Sequence, residues 1–190
     1  MSMSICVFCS SQDNIAPKFF EAARELGAAM GRRGDTLVFG AGRVGLMGAV
    51  AEAVQAHGGR VVGVIPEALH LEGIVYDRAD ELIVTKDLRE RKAVMDRRSD
   101  AFVVLPGGFG TMDELFETLT LKQLRYHTRP LVLLDVDGFF EPVVRLFDWI
   151  VEGGFALDHH RQLYCVAKDV PSVFEYLKTY EPPAVWGKWA

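Results

Sequence analysis

The apolar positions of this chain fall into short continuous runs that alternate with longer stretches of helical rhythm. That is the pattern of strands covered on both faces and separated by amphipathic helices. Ile5 to Cys9 is the first run, and it ends in the polar loop Ser10-Ser11-Gln12-Asp13-Asn14. Pro17 to Arg33 carries apolar or small residues at Phe19, Phe20, Ala23, Leu26, Gly27 and Met30, with Pro at its start and Gly34 beyond its end, and predicts the first crossover helix. Thr36 to Phe39 predicts a second strand, Gly45 to about His57 a helix stopped by Gly58-Gly59, and Arg60 to Ile65 a third strand closed by Pro66. Residues 67–80 have no period, Glu81 to Thr85 reads as a fourth strand, Asp87 to Arg98 as a helix, and Ala101 to Leu105 as the strand before a run of glycines. Thr111 to Arg125 then predicts a helix, Pro130 to Leu134 a strand, and Gly138 to Glu152 a helix ended by Gly153-Gly154. Leu163 to Ala167 predicts the last strand and Pro171 to Tyr180 the last helix, with the tail from Glu181 to Ala190 expected to wrap over the surface. Strict alternation of strand and helix implies parallel pairing. The expected fold class is therefore α/β, a doubly wound, mostly parallel sheet with helices on both faces and a ligand site beyond the carboxyl ends of its strands.

Composition narrows this picture. The 190 residues, 49% of them hydrophobic, suffice for one domain spanning 1–190 with a full core. A net charge of −5 argues against a general nucleic-acid binder, so any basic site has to be local. No apolar run approaches the roughly 20 residues that span a bilayer, and Met1-Ser2-Met3-Ser4 is not the start of a secretory signal, so the expectation is a cytoplasmic protein without a membrane partner. The three cysteines make no disulfide framework. Cys6 and Cys9 have C-x-x-C spacing but lie on a strand, where their side chains point to opposite faces and read as small buried hydrophobes. The five histidines keep no ligand spacing with a cysteine, and neither a metal nor a redox cofactor is expected.

Local chemistry concentrates in Leu105-Pro106-Gly107-Gly108-Phe109-Gly110-Thr111-Met112-Asp113-Glu114, where a strand, a bare-backbone loop and a helix start follow within ten residues. Uncovered amides and the positive end of a helix dipole suit a phosphate. A plainer alternative stays open here, because Thr111-x-x-Glu114 also fits a capping box in which Glu114 only closes the helix start. Gly40-Ala41-Gly42-Arg43-Val44-Gly45 is a literal G-x-G-x-x-G, and with Glu67 at the end of the next strand it keeps a dinucleotide oxidoreductase open. It follows the second strand rather than the first, however, and two glycine loops at one edge equally suit a mononucleotide. On that account Ser10, Gly42 and Gly45 are further candidates for the phosphate. Between Lys86 and Arg98 six basic residues face Asp87, Glu90 and Asp96. Arg91 shares the inward stripe of Val94 and Met95, so it needs an anionic partner, either a carboxylate of the protein or a bound phosphate. Arg97 and Arg98 read as surface. Glu114 and Glu117 share one face of their helix, while Asp113 is turned about 100° away.

These residues carry a resemblance. Pro106 to Glu114 is similar to the P-G-G-x-G-T-x-x-E signature of the Lonely Guy family of cytokinin-activating phosphoribohydrolases, often mislabelled lysine decarboxylases. Similar stretches are Ile5 to Ser11, Gly42 to Gly48, Arg91-Lys92, Gly153-Gly154-Phe155 and Lys188-Trp189. The resemblance implies a Rossmann-like fold, a homodimer, and cleavage of the N-glycosidic bond of a nucleoside 5′-monophosphate to free base and ribose 5-phosphate. It also implies that Arg91 and Glu114 are the catalytic pair, and that Lys92, Gly107, Gly108, Phe109, Gly110, Thr111, Met112, Asp113 and Thr120 line the nucleotide. Glu72 matches a further binding Glu through a one-residue gap; ungapped, that position falls on Gly73. Phe109 where Tyr is common, Leu88-Arg89 where Met-His is common, and Cys9-Ser10-Ser11 without a following Gly bear on substrate preference. A nucleotide-binding sensor without catalysis would have no use for Glu114 and Arg91 together, and a lysine decarboxylase would need a pyridoxal-phosphate lysine that no motif singles out.

Overall fold

A computed structural model of the chain describes residues 2–183, so Lys188, Trp189 and the end of the tail lie outside the described residues. In chain order the elements are β1 (Ser4–Phe8), α1 (Pro17–Arg33), β2 (Thr36–Phe39), α2 (Gly45–Ala56), β3 (Arg60–Pro66), β4 (Glu81–Thr85), α3 (Leu88–Arg97), β5 (Ala101–Val104), α4 (Phe109–Gln123), β6 (Leu131–Leu134), α5 (Glu141–Glu152), β7 (Cys165–Ala167) and α6 (Val170–Thr179). Two short 3₁₀ turns, Glu67–Leu69 and Asp158–Leu163, complete the set among the described residues.

The strands form one seven-stranded sheet in the order β4-β3-β2-β1-β5-β6-β7, and every pair is parallel. The order reverses between β1 and β5, so the loops leaving these two strands diverge and open a crevice at the carboxyl edge. The Ser10 amide donates to the Pro106 carbonyl at 3.1 Å and fixes the mouth of that crevice. The alternation of β1 divides two cores, as the period of a strand requires. Ile5, Val7 and Cys9 join Leu26, Met30, Val50 and Val54 from α1 and α2, whereas Cys6 and Phe8 join Met95 of α3, Leu115 of α4 and Phe140 on the opposite face. The two cysteines are thus buried and free on opposite sides of the sheet.

Several boundaries move for identifiable reasons. α4 begins at Phe109 rather than Thr111, because Gly108 is its N-cap. α5 begins at Glu141 rather than Gly138, since Gly138 and Asp137 both have positive φ and shape a turn before it. Leu163 belongs to the second 3₁₀ turn rather than to β7. Among the described residues no helix is long and apolar enough to cross a membrane.

Candidate active site

The loop that follows β5 starts the site. Leu105 donates its amide to the Phe8 carbonyl at 2.9 Å, so the chain is held to β1 until it turns. At Gly107 a side chain has no room: its Cβ would stand 2.6 Å from the Thr111 Cβ and 3.0 Å from the Ser10 amide nitrogen. Glycine is therefore required by close packing of the loop against its own helix. Gly108, Phe109 and Gly110 are exposed, Phe109 almost completely at 97%, while Thr111 is buried and Met112 packs on the core. α4 has no side-chain cap. By contrast Asp87 accepts from the amides of Arg89 and Glu90 at the start of α3, and Asp169 from Ser172 at the start of α6. With Gly108 as cap, no side chain among the described residues bonds the first amides of α4, and the helix carries no acidic residue in its first turn, so its positive end at the sheet edge suits an anion.

This placement overturns the capping-box alternative. With Gly108 as N-cap, Thr111 is the third helical residue and Glu114 lies in the second turn, too far along to reach back to the helix start. Its carboxylate instead meets Arg91. Arg91 Nη1 donates to Glu114 Oε1 at 2.9 Å and Arg91 Nε to the Val64 carbonyl at 3.1 Å, with side-chain exposures of 14% for Arg91 and 10% for Glu114. The inward stripe of α3 predicted an anionic partner, and the partner is a carboxylate of the protein. Burial pushes the Glu114 carboxyl above its ordinary value, and the Arg91 charge and hydrogen bond pull against that shift. Lys92 Nζ lies 2.9 Å from Asp113 Oδ2 and 2.5 Å from Glu117 Oε2, so the second cation is shared by two carboxylates of α4. Beside the pair a cavity of about 240 Å³ opens between α3 and α4, with Lys92, Glu114, Glu117 and Thr118 on its walls and the stacked rings of Phe8 and Phe102, 6.0 Å apart, among its lining.

The first glycine loop is arranged differently. Gly45 donates its amide to Asp13 Oδ1 at 2.8 Å, and the amides of Leu46 and Met47 point at the Ser10 carbonyl at 2.9 and 3.4 Å. The start of α2 is closed by the protein's own carboxylate and carbonyl. The amides of Gly45, Leu46 and Met47 are thus taken up by the protein's own groups, so the loop of Ser10, Gly42 and Gly45 offers a phosphate or a dinucleotide fewer open donors than the start of α4 does. Gly45 has φ +65° and lies against the Ser11-Gln12 backbone, where a Cβ would stand 2.6 Å from the Ser11 carbonyl carbon. Sequence reasoning missed Asp13 because a cap 32 residues from the helix it closes leaves no local signal.

Two further candidates stand apart. Glu72 is exposed in the segment after β3, which is pinned to the glycine loop by the Arg43 amide to Ile74 and the Tyr76 amide to Ala41, both 2.8 Å. Among the described residues its carboxylate makes no hydrogen bond or ion pair with Arg91, Lys92 or the loop at Gly107. Thr120 is exposed, six residues beyond Glu114, hence about 9 Å along α4 and 120° around it. Its hydroxyl donates to the Phe116 carbonyl at 2.7 Å, and it lines a separate cavity beside His160 and Tyr164. Arg91, Lys92, Asp113 and Glu114 come together; Glu72 and Thr120 do not join them.

The model of the family described as "possible lysine decarboxylase" matches residues 47–177. A probable cytokinin riboside 5′-monophosphate phosphoribohydrolase of Oryza sativa subsp. japonica is 43% identical over 178 residues, covering 94% of this chain and 78% of the relative. The cytokinin riboside 5′-monophosphate phosphoribohydrolase LOG of the same species is 40% identical over 186 residues, covering 96% and 77%. Among solved structures, the molybdenum cofactor carrier protein of Chlamydomonas reinhardtii superposes with a TM-score of 0.72 at 25% identity, covering 94% of this chain and 97% of that one. With the nine-residue signature around Glu114 and identities of this size over nearly the whole length, the chain belongs to the LOG family of cytokinin riboside 5′-monophosphate phosphoribohydrolases, the family whose model is described as possible lysine decarboxylase.

Proposed function

We propose that this protein hydrolyses the N-glycosidic bond of adenosine 5′-monophosphates, with or without an N6-isoprenoid group, to the free base and ribose 5-phosphate. The observation that carries the proposal is the buried Arg91–Glu114 pair, 2.9 Å apart, beside a helix start that no side chain among the described residues caps. The relatives' names support the same reaction class. In this reading the amides at Gly108 to Thr111 bind the 5′-phosphate, assisted by the dipole of α4. Loss of the base leaves an oxocarbenium-like sugar, and the Glu114 carboxylate stabilises that charge and orients or deprotonates the attacking water. The Arg91 guanidinium offers only donors, and its task is to hold Glu114 and the nucleotide in register. Lys92, tied to Asp113 and Glu117, sets the charge of the wall beside them.

The free, unpaired cysteines fit a reducing, cytoplasmic setting. A homodimer is supported by the apolar side chains exposed on α5 and just beyond it, Leu146, Trp149, Phe155 and Leu157, a concentration that covered surfaces relieve. The test of the reaction is incubation with AMP, with isopentenyladenosine monophosphate and with adenosine, followed by chromatography for free base. Both nucleotides are expected to release base and adenosine far less, because the anion site supplies much of the binding. Release from none of the three would overturn the proposal, and equal rates on AMP and adenosine would remove the phosphate site from it.

A further inference from the structure

The G-x-G-x-x-G run at residues 40–45 leads into a helix start whose amides the protein itself occupies, which leaves its glycines to be explained one by one. Gly45 takes a positive φ and packs on the Ser11-Gln12 backbone, and at Gly42 a Cβ would stand 3.0 Å from the Met47 sulfur. Gly40 differs from both. It does not belong to the positive-φ residues, so its backbone would accept any side chain; what it lacks is space. A Cβ built on Gly40 overlaps Arg91 Nη2 and stands only 3.0 Å from Arg91 Cζ. The third nitrogen of the guanidinium thus rests on the bare Cα at the end of β2, while Nε is held by the Val64 carbonyl of β3 and Nη1 by Glu114 of α4.

We propose that Gly40 is a positioning residue for the Arg91–Glu114 pair, a notch at the carboxyl end of β2 into which only an absent side chain admits the guanidinium. The inference rests on the catalytic reading of that pair given above. Its physical content is a choice of what gives way. The obstructing atom is the end of a flexible side chain and not backbone, so a methyl group at position 40 moves Arg91 and leaves the fold intact. The guanidinium is a rigid planar fork, and once one nitrogen is pushed away the other two cannot both keep bonds of 2.9 and 3.1 Å. A displacement on the order of 1 Å at a reacting constellation lowers turnover by about 10².

The experiment is Gly40→Ala in two backgrounds, the parent and Arg91→Ala, with melting curves, turnover on AMP and titration of the Glu114 carboxyl by carbon NMR. The groups that face this carboxyl are Arg91, Asp113 and Lys92, with the buried thiols of Cys6 and Cys9 nearby. Arg91 lowers its pKa, so eviction of Arg91 raises it. Gly40→Ala is expected to melt close to the parent, to lose about 10² in turnover and to titrate Glu114 at higher pH. In the Arg91→Ala background, where the notch is empty, the same substitution is expected to change none of the three. Parental turnover with an unmoved Glu114 titration overturns the notch, and so does a loss that adds in full to that of Arg91→Ala. If Gly40→Ala fails to fold, recovery of folding in the Arg91→Ala background supports the notch and failure in both overturns it. The carboxyl titration needs no substrate, so a protein without nucleotide turnover would refute the proposed reaction and still report on Gly40.

Discussion

Replacing Glu114 by Gln separates the chemistry of this site from its architecture. Gln has nearly the same shape and keeps a carbonyl that can accept from Arg91 Nη1, now 2.9 Å from the carboxylate. The buried charge is removed. In the parent, burial places the folded-state pKa of Glu114 above its ordinary 4.5, so ionisation costs stability as pH rises through that value, and a neutral side chain is relieved of the cost. Against this, Arg91, 14% exposed, loses its counter-charge. The two effects oppose each other and leave the melting temperature within a few degrees of the parent, as expected when about 1 kcal/mol corresponds to roughly 2–4 °C in a domain of this size. Turnover has no such compensation. A carboxylate facing a developing sugar cation in a site with only 10% of its side chain exposed supplies electrostatic stabilisation of roughly 3–4 kcal/mol, so its loss lowers turnover by about 10² to 10³. The assay is release of free base from AMP under saturating substrate, with AMP affinity and a melting curve for each protein. AMP is expected to bind the variant as well as the parent or better, since the repulsion between carboxylate and phosphate is gone. In the parent, the acidic limb of the turnover profile should lie above pH 4.5, because the active form is the ionised one. Near-parental turnover in the variant, or a loss that only follows a fall in folded protein, would refute the argument.

Two further expectations concern the frame. The ring of His127 is buried against Phe102, and burial with the nearby Arg129 charge brings its pKa down to about 4 from 6.5; the unfolded chain therefore takes up the proton first as pH falls, and stability present above pH 6.5 is lost towards pH 4, by roughly 3 kcal/mol. Proton NMR of the ring checks it, and a titration near 6.5 would contradict it. A Cβ at Gly27 would stand 2.5 Å from the Val50 carbonyl oxygen and 2.8 Å from the Ala53 Cβ, both fixed parts of α2. Gly27→Ala should thus cost about 1–3 kcal/mol while turnover per folded molecule stays at the parental value, measured by urea unfolding beside the base-release assay.

What the sequence disclosed depends on how local each signal is. α1 is predicted at its observed bounds because Pro17 and Gly34 mark both ends, the latter with φ +71°, and β2 and β4 are predicted at theirs because each is a short run between polar or turn residues. The strand order is a property of the crossovers and no periodicity contains it. The inward position of Arg91 is legible from Val94 and Met95, but its contact with Glu114 joins two helices and becomes visible only when β3, β2, β1 and β5 lie in that order in one sheet. The capping box at Thr111 misleads for a physical reason: Gly108 caps by conformation and offers no side chain to recognise. Likewise a G-x-G-x-x-G match cannot tell an amide that awaits a ligand from one held by Asp13. The 3₁₀ turn at Asp158–Leu163 has too few residues to show a period.

Two helices begin at the crevice, and the difference between their starts underlies the phosphate site proposed above. At α2 the carboxylate of Asp13 and the Ser10 carbonyl occupy the amides, so a phosphate there would displace good hydrogen bonds and face a negative charge. At α4 the cap is Gly108 and the first turn has no acidic side chain. Glu114 follows six residues later, about 9 Å along the axis, where the repulsion per unit charge between its carboxylate and a phosphate at the helix start is about 2 kcal/mol at an effective dielectric of 20. At 4 Å the same charges would repel by about 4 kcal/mol, so the second turn is a position where a carboxylate can serve a sugar cation without excluding the phosphate. Arg91, 2.9 Å from Glu114, places a positive charge beside that carboxylate and so acts against the repulsion. The separation also explains why the pair needs a fixed guanidinium: a freely moving arginine would follow the phosphate, whereas one seated on Val64 and Gly40 stays with the carboxylate.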